Sequence, residues 1–242
     1  MSNQNFMKLL NLLFKRETAA PILALSFASF VNVALVIARI VLTGNIMYGF
    51  LIWNTFLAWL PLIFSLMACE QYQIGRTRGW RFVSFVAAWL LFFPNAPYIF
   101  TDLIHLTTRF YAHFWVDMVL ILMCAFTGLV IGFLSLYLMQ DMVSRIWGRL
   151  ASWVFIACAT GLCSFGIFLG RFLRFNSWDP IVNPGRLYHE IGLWSSNQGY
   201  HSASLSFFLL FATFLFTTYV MLYALTHLAP AAHGPSRASQ PA

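Results

Sequence analysis

Asp102 and His105 stand three residues apart, His113 and Asp117 four apart, and Arg171 and Arg174 three apart. On a helix the first two spacings put a carboxylate and an imidazole on one face, and the third stacks two guanidinium groups about one turn apart. If the segment after Pro97 is helical, Arg109 joins the face of Asp102 and His105. Three chemistries compete for these residues. Asp102, His105, His113 and Asp117 are candidate ligands for a divalent metal, the one candidate cofactor. The D-x-x-H and H-x-x-x-D spacings are short, however, beside a signature such as H-E-x-x-H. Arg171 and Arg174 supply forked donors for a phosphate or another anionic head group, with Asp102, His105 or Asp117 as base. In the third reading the arginines and acids neutralise one another as interfacial ion pairs.

The element that must position them is the run from Phe92 to His105. The third span, to which this run belongs, starts at Phe82, but its uninterrupted apolar part ends at Phe93, too short to cross a hydrocarbon core of roughly 30 Å. Pro94 and Pro97 then interrupt it. Each removes a backbone donor, and its ring clashes with the carbonyl four residues earlier, so the third span is a broken helix. Backbone groups freed in this way survive at membrane depth where protein or a wet cavity satisfies them. Asn95, between the prolines, needs partners for its amide and is either a helix cap or a ligand contact.

Of 242 residues 60% are hydrophobic, 9% are charged and 26 are phenylalanine, too little polar surface to cover a soluble globule. The composition predicts a polytopic membrane protein. The net charge of +7 is spread over segment ends, which excludes a nucleic-acid patch and fits orientation signals. Cys69, Cys124, Cys158 and Cys163 lie in apolar runs without zinc spacing and read as buried thiols. G-x-S-x-G, H-E-x-x-H and P-loop motifs are absent from the sequence.

Along the chain, residues 1–18 place Phe6, Leu9, Leu10 and Leu13 at helical spacing beside Lys8, Lys15 and Arg16, a basic interfacial helix. Residues 19–228 form the membrane domain. Its spans run from Ala19 to Leu42, Ile46 to Ala68, Phe82 through the proline break, Phe114 to Leu138, Leu150 to Leu169 and Ala203 to Leu228. Arg39 is placed to snorkel to an interface, and Asn32 needs a partner inside the bundle. A loop with Arg145 and Arg149 separates spans four and five, and the aromatic stretch from Gly170 to Ser202 lies on the membrane surface. Residues 229–242 read as a disordered tail. The fold class is thus all-α, a bundle of about six spans with the third broken at Pro94 and Pro97. Lysine and arginine counting puts both termini in the cytoplasm.

At Pro94-Asn95-Ala96-Pro97-Tyr98, Thr101-Asp102 and His105-Leu106, then Trp115, Asp117 and the run from Gly170-Arg171-Phe172-Leu173-Arg174 to Asn176-Ser177-Trp178-Asp179, the chain resembles a family. It is that of the bacterial membrane proteins grouped as domain-of-unknown-function family thirteen sixty-one. The resemblance implies a protein of the bacterial cytoplasmic membrane and recurrent polar residues at Asn95, Asp102, His105, Asp117, Arg171, Arg174, Asn176 and Asp179. It implies no activity, and His113 is outside the pattern.

Together these readings give an outward-facing polar cavity beneath the connection between spans five and six. Asp102, His105 and Asp117 form its reactive or coordinating core. Asn95, Arg171, Arg174, Asn176 and Asp179 bind the anionic group of a membrane lipid or envelope intermediate. The rivals are a transporter or channel subunit gated by the broken span, with Asp102 as proton or cation carrier, and a structural partner in an envelope complex. Reporter fusions test the orientation first. A periplasmic reporter should be silent after Arg145 and active after Arg186, and the reverse pattern would invert the topology.

Overall fold

A computed structural model of the chain describes residues 16–77, 79–106, 114–196 and 198–226. The interfacial helix and the tail expected at the two ends therefore lie outside the described residues, apart from Arg16 onward. The described chain is helical, without strands. In order it forms α1 (Arg16–Thr43), a 3-10 turn (Ile46–Tyr48), α2 (Phe50–Gln73), α3 (Trp80–Phe92), α4 (Asn95–Tyr98) and a second 3-10 turn (Ile99–His105). It continues as α5 (Phe114–Phe172), α6 (Asp179–Val182), α7 (Pro184–Ser196) and α8 (Gln198–Thr226). Five helical stretches are long and apolar enough to cross a membrane, by length and composition.

The fourth of these, α5, is 59 residues long, and Gly148 inside it is non-helical at φ 87 and ψ 171. A straight helix of that length would span roughly 90 Å, about three hydrocarbon cores. The contacts show two antiparallel arms instead. Trp89 donates to Ser135 Oγ at 3.2 Å and stacks on Phe155 at 5.8 Å. Farther along the same element, Ala96 meets Gly132 and Gly128, while Pro94 meets Gly166 and Tyr98 meets Gly170. Numbers fall along the first arm and rise along the second, so the chain reverses at Gly148, and the described residues hold six segments of membrane-crossing length. The loop expected around Arg145 and Arg149 is reduced to Gly148, because Arg145 donates to Asp141 at 2.8 Å and extends the first arm as a helix.

The other helices dock on these arms. Asn32 finds its partner in Thr127 at 2.9 Å, which lays α1 against the first arm. Ser164 donates to the Phe208 carbonyl at 2.8 Å and Trp153 meets Tyr223 at 5.1 Å, which lays α8 antiparallel to the second arm. Cys124 and Cys163 are buried, but Cys158 faces outward.

The break in the third span is a change of winding. Pro97 cannot donate to the Phe93 carbonyl, which instead accepts the Ala96 N–H at 3.2 Å. Phe93 and Pro94 keep right-handed helical angles, and the chain tightens into the 3-10 turn of residues 99–105. With three residues per turn, Asp102 and His105 eclipse. Trp80 to His105 thereby reaches 26 residues, enough to cross where α3 alone is not.

Glycines seat this break. A Cβ on Gly128 would lie 2.6 Å from the Ala96 carbonyl oxygen, and one on Gly166 would lie 2.5 Å from Pro94 Cγ. Gly128 and Gly132, and Gly166 and Gly170, are two G-x-x-x-G pairs, the small-residue spacing that lets backbones approach in membranes. Gly166→Ala should destabilise the detergent-solubilised protein by about 1–3 kcal/mol, since a proline ring cannot rotate away. Gly161, with nothing within 4 Å of its would-be Cβ, is the control, and Gly161→Ala should leave the thermal midpoint unchanged or raised.

Candidate functional site

The tightened turn delivers Asp102 to the bundle interior. Its side chain is 2% exposed, and it is held from three elements. Asn54 of α2 donates to Oδ2 at 2.8 Å, Arg171 at the end of α5 lies 3.4 Å from Oδ1, and His105 Nε2 lies 3.9 Å from the same oxygen. A carboxylate at that depth is costly to ionise without a cation and a donor, and Arg171 and Asn54 supply both. Arg171 is 16% exposed and heavily engaged. Its guanidinium also donates to the Thr101 carbonyl, reaches Tyr98 Oη at 3.5 Å and lies over the Tyr98 ring at 5.6 Å. It thus caps the broken helix as well as pairing its acid. His105 is the open member, 48% exposed, with its ring 5.2 Å from that of Phe50. A buried acid beside an exposed imidazole can pass a proton between the interior and the surface.

Beside this cluster the segment after Arg171 folds back over the break. Asn95 donates to Ser177 Oγ at 2.8 Å and its carbonyl oxygen accepts from the same hydroxyl at 3.2 Å, so the amide clasps the two segments together. Asp179 accepts the Asn176 backbone N–H at 2.6 Å and closes a local turn. Arg174 sits at φ 55, a left-handed conformation that disfavours a side chain by roughly 1–2 kcal/mol. Among the described residues it has no ion pair or hydrogen bond. A groove of about 600 Å³ opens there. Its polar end is formed by Asn54, Asn95, Tyr98, Arg174, Asn176 and Ser177, and its apolar walls by Leu57, Leu90, Leu91, Leu162, Phe165 and Leu169. Asn54 and Tyr98 belong to both the groove and the Asp102 cluster.

The site residues expected from sequence are therefore partly gathered and partly divided. Asp102, His105 and Arg171 meet, and Asn95, Arg174 and Asn176 line the adjoining groove. Asp117 sits with another partner: Arg39 Nε donates to Oδ1 at 2.6 Å and Nη2 to Oδ2 at 3.0 Å, with side chains 12% and 3% exposed. This pair ties α1 to the first turn of α5, so Arg39 does not snorkel as its position suggested. Asp179 is engaged in its own turn. His113 and Arg109 lie outside the described residues, and among the described residues no three histidine, cysteine or acidic side chains gather as a metal site would need. Sequence reasoning gave no site role to Asn54, nor to Tyr98, Thr101 and Ser177, which stand in the motifs of the resemblance, because their roles depend on long-range contacts.

These features define a multi-pass, all-α membrane protein. The chain belongs to the family described as Protein of unknown function (DUF1361), whose profile matches residues 53–226. No curated protein and no solved structure matches it. The matched stretch contains the whole Asp102 cluster and the groove, and leaves α1 with Arg39 outside.

The Asp102 and Arg171 side chains share one desolvated site, so their removal should be non-additive. Asp102→Asn and Arg171→Gln should each lower stability in detergent by about 3 kcal/mol, the scale for stranding one buried partner, and the double variant should recover part of the sum. Strictly additive thermal or denaturant unfolding losses would show the two residues to be energetically separate.

Proposed function

We propose that this protein is a receptor for the anionic group of a membrane lipid or envelope intermediate, at the outer face of a bacterial cytoplasmic membrane, with both termini cytoplasmic. The observation that carries the reading is Arg174. It is an uncommitted guanidinium held in a strained backbone conformation at the mouth of a groove, with the Asn176 amide on the same rim. Arg171 holds the broken span in place through Asp102 and the Thr101 carbonyl and leaves anion capture to Arg174. His105 and Asp102 adjoin the groove through Asn54 and Tyr98, which line it.

Two observations favour binding over transport. Beyond Ala87 and Leu162, the groove residues nearest the Gly148 end, Met139, Met142, Ile156 and Ala159 are buried apolar residues, a dry layer on the way to that end. A smaller cavity of about 340 Å³ at that end is lined by Gln140, Asp141 and Arg149, but Gln140 is bonded to Tyr219 and Asp141 to Arg145. The orientation is supported by charge. Lysine and arginine are more numerous in the segments before span one, after span two and after span four than in the segments on the opposite side.

The test compares phosphatidic acid with phosphatidylcholine of the same chains, added to the protein in detergent. Phosphatidic acid should raise the thermal midpoint more. Arg174→Gln should weaken its binding about tenfold, while Arg145→Gln at the opposite end should not. Equal stabilisation by both lipids, or an Arg174→Gln protein that behaves as wild type, would reject the reading.

A further inference from the structure

The walls of the groove identify what accompanies the anion. Leu90 is 39% exposed and Leu162 52% exposed, and both lie within membrane-crossing helices rather than at a helix end. Trp53, 54% exposed, flanks them from α2. The apolar part of the groove therefore opens on the flank of the bundle, where hydrocarbon is the solvent, while its polar part ends at Arg174 and Asn176. A water-soluble anion would need only the rim. It would have no use for an apolar trough running from that rim down α3 and the second arm.

We infer that the occupant is a chain-bearing anionic lipid that reaches the site sideways from the bilayer, lays its chain between Leu57, Leu90, Leu91, Leu162 and Phe165, and presents its head group to Arg174. The inference rests on the reading of this site as a receptor for an anionic group. Because the bilayer is as apolar as the groove, the walls contribute packing and placement rather than hydrophobic gain. They fix the depth at which the head group meets the guanidinium. Arg171 is excluded as the receiving cation, since Asp102, Thr101 and Tyr98 already occupy it.

The test uses the full chain in phosphatidylcholine nanodiscs doped with phosphatidic acid that carries a mid-chain diazirine. Illumination should place adducts on the groove residues of α2, α3 and the second arm. Leu90→Trp and Leu162→Trp fill the trough at positions already open to the flank, where added bulk spares the core, and each should cut those adducts about tenfold. Excess glycerol phosphate should leave them unchanged. Adducts confined to the outward faces of α1 and α8, or adducts displaced by glycerol phosphate, would overturn the inference. In that event thermal stabilisation by phosphatidic acid that still depends on Arg174 would leave the receptor reading standing, and its loss would remove both.

Discussion

The structure depends on how closely two backbones approach at the proline break. Pro94 and Ala96 lie against Gly166, Gly128 and Gly132 at distances that no side chain could share. The broken segment has lost regular backbone hydrogen bonds and cannot be left facing hydrocarbon. Enclosing it between the two arms of α5 removes that exposure, and the missing side chains let the arms close far enough to do so. With the segment seated, the tightened turn beyond it carries Asp102 inward and leaves His105 outward. The polar site is therefore a product of packing in the apolar interior.

Two buried ion pairs organise the same end of the bundle, and they divide the work. Arg39 and Asp117 join α1 to the start of α5 through a two-pronged contact. Arg171 and Asp102 join the end of α5 to the broken span, through a longer contact supplemented by the Thr101 carbonyl and the Tyr98 ring. A buried pair adds little net stability beyond what an apolar replacement would give, but stranding either member is expensive. Such pairs specify which helices meet. Placing four charges this way leaves Arg174 as the uncommitted cation on the rim of the groove.

Much of this was legible in the sequence. Hydropathy marks the spans, and Pro94 and Pro97 mark the break, because both signals are local. The i, i+3 pairing of Asp102 and His105 also followed from spacing, although its cause is the 3-10 winding rather than an α-helix. What escaped was long-range. Arg39 and Asp117 are 78 positions apart, and Arg171 and Asp102 are 69 apart, and nothing in either local pattern names the other. Hence Asp117 looked like a third member of the Asp102 site when it faces α1. The two G-x-x-x-G pairs were visible as letters but indistinguishable from ordinary span composition until their partner was seen. Arg145 suggested a loop because charge usually ends a span, whereas Asp141 one turn earlier lets the helix run on.

Gly148 also acts as a gauge. Gly132 and Gly166 lie at nearly equal helical distances on either side of it, roughly 25 Å at 1.5 Å per residue. A connection of one residue permits no slip between the arms, so the two smooth faces arrive at the same depth because the chain between them is folded near its midpoint. One residue inserted in either arm would move its glycine by 1.5 Å and rotate it by about 100°. The alignment that receives the prolines is thus set at the opposite end of the molecule, by counting.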